Sequence, residues 1–414
     1  MSAFITKWYV NGKLELPLLP SGTYDFNIDW GDNTPIQHYT NHYVRHNYII
    51  GAEYIISITG TIKGWRTTKG ETTDCRLLDI IQWGCLKLGN KGDYFKGCMS
   101  LNISATDAPD LSETTNLHGM FMFCRSLNSP IGHWDVSRVT DMSDMFFYTQ
   151  EFNQSLNSWN VSKVTTMKQM FLNTNKFNQP LDKWNVSSVT DMTDMFSGAK
   201  AFNQPIGSWN VSNVTSMANM FREAKSFNQP LNTWDVSNVK NMRYMFANTQ
   251  VFNQPIDAWN VANVSDMIGM FEGTRAFNQD ISTWDVSSVD DMINFILNTT
   301  ALNITNRGKL RRWLINRPDL ANDLFGMEGS VEIITYAEYT NLHPNNNIES
   351  YCAICISEIT DKDDWRAFNC HSTVKLGIPH CYHRDCIDGW LASNNICPNC
   401  RGKGVLSFAT CCIS

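Results

Sequence analysis

Hydrophobic positions in the central half of this chain repeat every 25 residues. Tryptophan returns at 134, 159, 184, 209, 234, 259 and 284, methionine at 142, 167, 192, 217, 242, 267 and 292, and Phe-Asn-Gln at 152, 177, 202, 227, 252 and 277. Equal spacing puts the same side chains in the same environment in every copy, and a unit this short cannot bury its own apolar face. The copies must therefore stack and share one elongated core, a solenoid in which each unit touches only its neighbours. Within a copy, Val214, Met217, Met220, Phe221 and Ala224 fall at helical spacing with Ser212 placed to cap the start, which predicts a short helix. The proline-marked stretch Phe227-Asn228-Gln229-Pro230-Leu231 predicts a brief parallel strand, stacked about 4.8 Å from its copies. Asn153, Asn178, Asn203, Asn228, Asn253 and Asn278 share one position, where side-chain amides could hydrogen-bond loop backbone along the array. Methionine at helical spacing beside phenylalanine reads as core filling rather than a metal or redox device.

The flanks follow other patterns. Residues 8 to 63 alternate β-favouring and turn residues, as in Tyr24-Asp25-Phe26-Asn27-Ile28-Asp29-Trp30 followed by Gly31-Asp32-Asn33, and later Tyr54-Ile55-Ile56-Ser57-Ile58, which predicts a small β-sandwich. His38, His42 and His46 lie four apart with no predicted helix to align them, so they read as surface residues and not as a site. From Leu77 the repeats are degenerate, with Phe95 and Leu101 preceding Phe121 and Leu127 by 26 residues; terminal copies of an array are expected to drift. At the other end Phe295-Ile296 replaces Met-Phe, and Lys309-Leu310-Arg311-Arg312-Trp313-Leu314-Ile315 begins an amphipathic helix expected to cap the last turn. Residues 329 to 349, with Pro344-Asn345-Asn346-Asn347, read as a linker.

Charge and length sharpen this picture. A formal charge of -7 over 414 residues supplies no basic field for neutralising many phosphates, so nucleic acid is not the expected partner. No apolar run approaches a membrane span, and Met1 to Pro20 lacks a basic start followed by an apolar core, so the expected location is intracellular and cytoplasmic. Asn160-Val-Ser162, Asn185-Val-Ser187 and Asn210-Val-Ser212 match the glycosylation pattern but are read as by-products of the repeat.

Nine of the thirteen cysteines follow residue 350, and in a reducing compartment such a cluster points to metal rather than disulfides. Cys352-x-x-Cys355, Cys370, His380-x-x-His383-x-x-Cys386 and Cys397-x-x-Cys400 supply thiolate and imidazole donors in close pairs. Closed tetrahedral zinc sites take four such ligands each, so two zinc ions are implied, and a module this small depends on them to fold.

Three resemblances follow from these residues. Trp30-Gly31-Asp32 with Gly51-Ala52-Glu53-Tyr54-Ile55-Ile56 resembles the polycystic-kidney-disease-type sandwich. Trp-Asp/Asn-Val-Ser-x-Val-x-x-Met-x-x-Met-Phe followed by Phe-Asn-Gln-Pro, over roughly 77 to 303, resembles the BspA-like leucine-rich repeat of bacterial and mycoplasmal surface lipoproteins, which implies a scaffold for binding other proteins. Cys352 to Arg401 resembles a RING finger of the His-His type, the zinc cross-brace of ubiquitin ligases. That resemblance implies one zinc on Cys352, Cys355, His383 and Cys386 and a second on Cys370, His380, Cys397 and Cys400, with Cys381 or His371 as alternatives to Cys370 because Ile378 fills the family's usual third-ligand position. It also implies a shallow groove for a ubiquitin-conjugating enzyme at Ile354, Trp390 and Pro398, with Arg401 contacting that enzyme and its ubiquitin. Such a module has no nucleophile and accelerates transfer by orientation.

The resulting expectation is a multidomain α+β chain. It has a β-sandwich over 1–64, a leucine-rich-repeat-like α/β solenoid over 65–303, a helical cap and linker over 304–349, a RING-type zinc finger over 350–402 and a tail over 403–414. The expected function is that of a ubiquitin ligase whose solenoid recruits a protein substrate; the alternative is a non-enzymatic adaptor with a structural zinc module. Cys411-Cys412-Ile413-Ser414 matches the pattern for prenylation at Cys411, which would add a membrane anchor.

Overall fold

The computed structural model describes residues 2–67 and 75–310, Trp313, Arg317 and Leu320, and the backbone of three strands at 365–370, 380–383 and 404–407. The N-terminal strands are β1 (Phe4–Glu15), β2 (Leu18–Asp29), β3 (Gln37–Tyr39), β4 (Arg45–Trp65), β5 (Leu77–Gln82), β6 (Leu86–Lys87) and β7 (Asn102–Ile103). They form one hydrogen-bonded sheet in the order β3-β2-β4-β1-β5-β7, with β6 against β4. The expected two-sheet sandwich is therefore corrected to a single sheet. The reason is the length of β4, whose first part pairs with β1 from Arg45↔Glu15 to Ile58↔Phe4 while its second part pairs with β2 from Ser57↔Asp29 to Trp65↔Leu18. Gly60 permits that crossing: its φ is +119°, and a Cβ there would lie 2.4 Å from the Asp25 carbonyl oxygen.

Alternation along β1 sends Phe4, Thr6, Trp8 and Val10 inward, where Phe4 meets the Trp65 ring edge-on at 5.2 Å. His46 departs from the surface reading of the three histidines. Its Nε2 lies 2.6 Å from Asp32 Oδ2 and its ring stacks on Trp30 at 4.7 Å, leaving the side chain 10% exposed. The sheet continues past residue 64, because β5 pairs with β1 and β6 with β4, and one apolar core runs from Phe4 through the repeats. Cys75 and Cys98 form a disulfide where the sheet meets the first coils.

Successive copies of the repeat stack as parallel coils. Single-residue parallel bridges link Asn116, Asp141, Thr166, Asp191, Ser216, Asn241, Asp266 and Asp291 in order. The expected helix within each copy is absent. In the copy containing Met217, alternate backbone N–H groups leave the segment for the next coil, Met217 to Asn241 O, Asn219 to Arg243 O, Phe221 to Met245 O and Glu223 to Ala247 O, at 2.7 to 2.9 Å. Those between them close three-residue turns, Met220 to Met217 O, Arg222 to Asn219 O and Ala224 to Phe221 O. Asn219 and Glu223 adopt φ of +55° and +58°, and left-handed residues at these two positions recur in every regular copy, which no α-helix tolerates. A run of three-residue turns returns Val214, Met217, Met220, Phe221 and Ala224 to the core at helix-like spacing, so the pattern was right about burial and wrong about the element.

The expected strand at Phe-Asn-Gln-Pro is likewise corrected, since the parallel bridges lie elsewhere and side chains hold this corner. Asn203 Oδ1 accepts the backbone N–H of Asn228 at 3.0 Å and Gln229 Nε2 at 3.0 Å, and equivalent bonds run from Asn128 to Asn303. The tryptophans of the regular copies are buried and, from Trp159 to Trp284, satisfied: Trp209 is 3% exposed and donates Nε1–H to Leu181 O at 2.9 Å. The last coil leads into α1 (Ile304–Leu310), which starts five residues before the expected position. Beyond it Trp313 is buried and stacks on Trp284 at 6.5 Å, prolonging the tryptophan row where the coil pattern ends.

Candidate metal centre

Among the described residues no group of three or more His, Cys, Asp or Glu side chains could hold a metal ion. Candidate chemistry therefore falls after residue 350. There β8 (Trp365–Cys370), β9 (His380–His383) and β10 (Gly404–Ser407) form an antiparallel sheet in the order β10-β8-β9. Phe368 pairs with His380, Ala367 with Cys381, Arg366 with Tyr382 and Trp365 with His383, while Cys370, the last residue of β8, pairs with Gly404. Three of the eight expected ligands thus lie on two neighbouring strands. Cys352, Cys355, Cys386, Cys397 and Cys400 lie outside the described residues, as do Ile354, Trp390, Pro398, Arg401, Cys411 and the alternative ligand His371.

The repeats carry structural polar chemistry instead. Asn160, Asn185 and Asn210, the asparagines of the glycosylation-like triplets, each accept the N–H of the serine two residues on, at 3.1 to 3.2 Å, and so form the turn after each tryptophan. Where aspartate takes that place, at Asp135, Asp235 and Asp285, hydrogen bonds from the following serine hold the carboxyl below the usual range. Asp144 and Asp194, at one of the left-handed positions, are pushed the other way by burial. Cys124 is buried, which pushes its thiol well up and makes it a poor nucleophile.

Two family models match the chain. Residues 90–208 and 199–313, together more than half of it, match the family described as "Mycoplasma protein of unknown function, DUF285", and the chain belongs to that family. Residues 350–401 match the "Ring finger domain" and form a C-terminal RING finger, so the chain is multidomain, with a sheet-rich N-terminal region and a RING domain at the C-terminal end. Similar curated proteins match over short stretches of the chain. "RING-H2 finger protein ATL47" of Arabidopsis thaliana is 44% identical over 52 residues, 12% of each chain. "E3 ubiquitin-protein ligase RLIM" of Mus musculus is 40% identical over 62 residues, 15% of this chain and 9% of that one. The chain thus covers about an eighth of the length of the first of these relatives. No solved structure matches it.

The donor set fits the zinc that this finger family binds, two ions per module. Six thiolates and two imidazoles between residues 352 and 400 are donors enough for two four-ligand sets, and the cofactor is Zn2+. Zinc in closed four-ligand sites of this kind is structural and contributes folding free energy.

Proposed function

We propose that this chain is a RING-type ubiquitin ligase that holds a ubiquitin-charged conjugating enzyme on its C-terminal finger and recruits a protein substrate on its stacked coils. The match of residues 350–401 to the RING finger, with eight ligands in order, carries the reading. One zinc is held by Cys352, Cys355, His383 and Cys386, and the other by Cys370, His380, Cys397 and Cys400. The backbone register supports Cys370 over Cys381: Phe368 faces His380, so Cys370 stands one diagonal step from it, a backbone separation of about 7–8 Å that two ligands of one ion can span. Ile354, Trp390 and Pro398 form the apolar groove for the conjugating enzyme, and Arg401 contacts that enzyme and its ubiquitin. The finger supplies no nucleophile; it restricts the charged enzyme to geometries in which a lysine reaches the thioester.

The coils over 65–303 serve as a leucine-rich-repeat-type solenoid, with 1–64, 304–349 and 403–414 as sheet, cap and linker, and tail. The site of action is cytoplasmic, and prenylation of Cys411 would bring it to a membrane face; one prenyl chain gives only marginal binding unless a second signal is present. Self-ubiquitination by the full chain with a panel of conjugating enzymes tests the proposal. Chains that disappear in Arg401→Ala and Ile354→Ala support it. No chains with any enzyme would leave the adaptor as the better description.

A further inference from the structure

The seven regular copies provide an alignment within one chain. Tryptophan, valine, methionine, phenylalanine and the Asn-Gln corner barely change from copy to copy, as stacking demands. Among the positions that vary freely are Ser143, Lys168, Thr193, Ala218, Arg243, Ile268 and Ile293 at one, and Phe147, Leu172, Ser197, Arg222, Ala247, Glu272 and Leu297 at another. Each immediately precedes one of the two left-handed residues of its copy, two and six residues after the residue of the parallel bridge. Some of these side chains serve the stack, as Ser143 does against His118 and Thr193 against Ser216, but the larger ones stand partly exposed.

Along that face the chemistry changes in order. At the N-terminal end Phe123, Phe147 and Tyr148 form a partly exposed aromatic cluster with centroids 4.9 to 5.6 Å apart. In the middle the guanidinium groups of Arg222 and Arg243 both lie against the Tyr244 ring, at 5.4 and 5.1 Å, and Arg243 reaches Asp266 at 4.0 Å. Gly269 makes that arrangement possible, since a Cβ there would come within 2.1 Å of the tyrosine ring. At the C-terminal end Ile293 and Leu297 are 48% and 37% exposed, two of the most exposed large apolar side chains in the coils among the described residues.

We infer that this face binds an extended segment of a protein partner that carries one anionic side chain between two apolar ones. The inference rests on the proposed substrate-recruiting role of the coils and names the chemistry of what they recruit. The two arginines fix the charge of the central residue, and the apolar ends fix its neighbours. Phe147 and Arg222 are three coils apart, roughly 14 Å, and Arg243 and Ile293 two coils apart, roughly 10 Å, at about 4.8 Å per coil. An extended chain covers these spans in about four and three residues. Arginine held on an aromatic face is preorganised for such an anion, because its rotamers are already restricted.

The test uses the full chain and fluorescent peptides with Phe four residues before, and Leu three residues after, a central Glu, phosphoserine, Gln or Lys, read by fluorescence anisotropy. Binding of the Glu or phosphoserine peptide at least about tenfold tighter than the Gln peptide is expected, and the better of the two identifies the natural anion as carboxylate or phosphoryl. Arg222→Glu with Arg243→Glu should invert the preference toward the Lys peptide, an inversion that a misfolded variant could not show; Ile293→Ser should weaken all four peptides. Equal binding of the four peptides, no binding, or no inversion overturns the inference. Ubiquitin chain formation measured on the same samples keeps the two proposals apart: chains without peptide binding sink this surface and leave the ligase, and peptide binding without chains does the reverse.

Discussion

Asn278 and Asn303 are joined by the last rung of the asparagine ladder, the Asn303 N–H donating to Asn278 Oδ1 at 2.9 Å. Asn303 Oδ1 in turn accepts the N–H of Asn306 at 2.9 Å, the geometry of a helix N-cap, so the residue that closes the ladder also starts α1. Asn306 Nδ2 then reaches Asn278 O and Oδ1 at 3.0 and 3.1 Å, taking the part that glutamine plays in the regular copies. Asn303→Ala should therefore loosen the cap, at a cost of about 1 kcal/mol, with faster amide exchange in 304–310 and the last coil and little change before residue 250. Unchanged exchange in the last coil would show that α1 and the ladder are not coupled.

Trp209→Ala should destabilise the array by roughly 3 kcal/mol or more, through a large cavity between stacked rings and the loss of the indole hydrogen bond to Leu181 O. Denaturant unfolding measures it. A loss below about 1 kcal/mol would mean that neighbouring coils close over the gap, against the close packing that Trp184 and Trp209 show at 6.3 Å.

Acidity should act on Asp194 with a defined sign. Burial raises its folded pKa above the unfolded value near 3.9, so its contribution favours folding below the unfolded pKa and is lost as pH rises through the folded one. Asp194→Asn should then raise the melting temperature at neutral pH and have little effect near pH 3. Asn219, the equivalent residue one coil later, shows that asparagine accepts the same left-handed backbone. A higher melting temperature at both pH values would point to conformational preference instead.

Much of this was legible in the sequence, and the misses in the coils and the sheet have one cause. Spacing reports which side chains are buried, so the Trp, Met and Phe rows and the asparagine ladder could be read directly from the 25-residue period. Spacing does not report where backbone N–H groups go. A helix and a run of three-residue turns bury the same positions, and only the alternation of bonds to the next coil, with left-handed Asn219 and Glu223, separates them. The single sheet was hidden for a similar reason: alternation fixes the faces of β4 and says nothing about its sharing between β1 and β2. The Cys75–Cys98 disulfide joins residues 23 apart with no motif to mark them. Arg222 and Arg243 were visible only as deviations between copies, and their shared contact with Tyr244 needs the stack.

Metal removal should divide the molecule. Two zinc ions per chain are expected, and chelation should unfold 350–402 while the coils keep their thermal unfolding transition, because coil stability comes from neighbour packing and not from metal. Cys370→Ala should lower the zinc content and Cys381→Ala should not; the opposite result would move the third ligand of the finger to Cys381.

The central claim, that the finger activates a charged conjugating enzyme, is tested most directly by single-turnover discharge of ubiquitin from that enzyme onto free lysine, with and without the full chain. The expected result is a discharge rate raised by at least about tenfold by the chain, falling to the unassisted rate with Arg401→Ala or after zinc removal, since an orientation effect requires an intact contact surface. A rate unaffected by the chain across the panel of conjugating enzymes, with zinc bound at two ions per chain, would contradict the account.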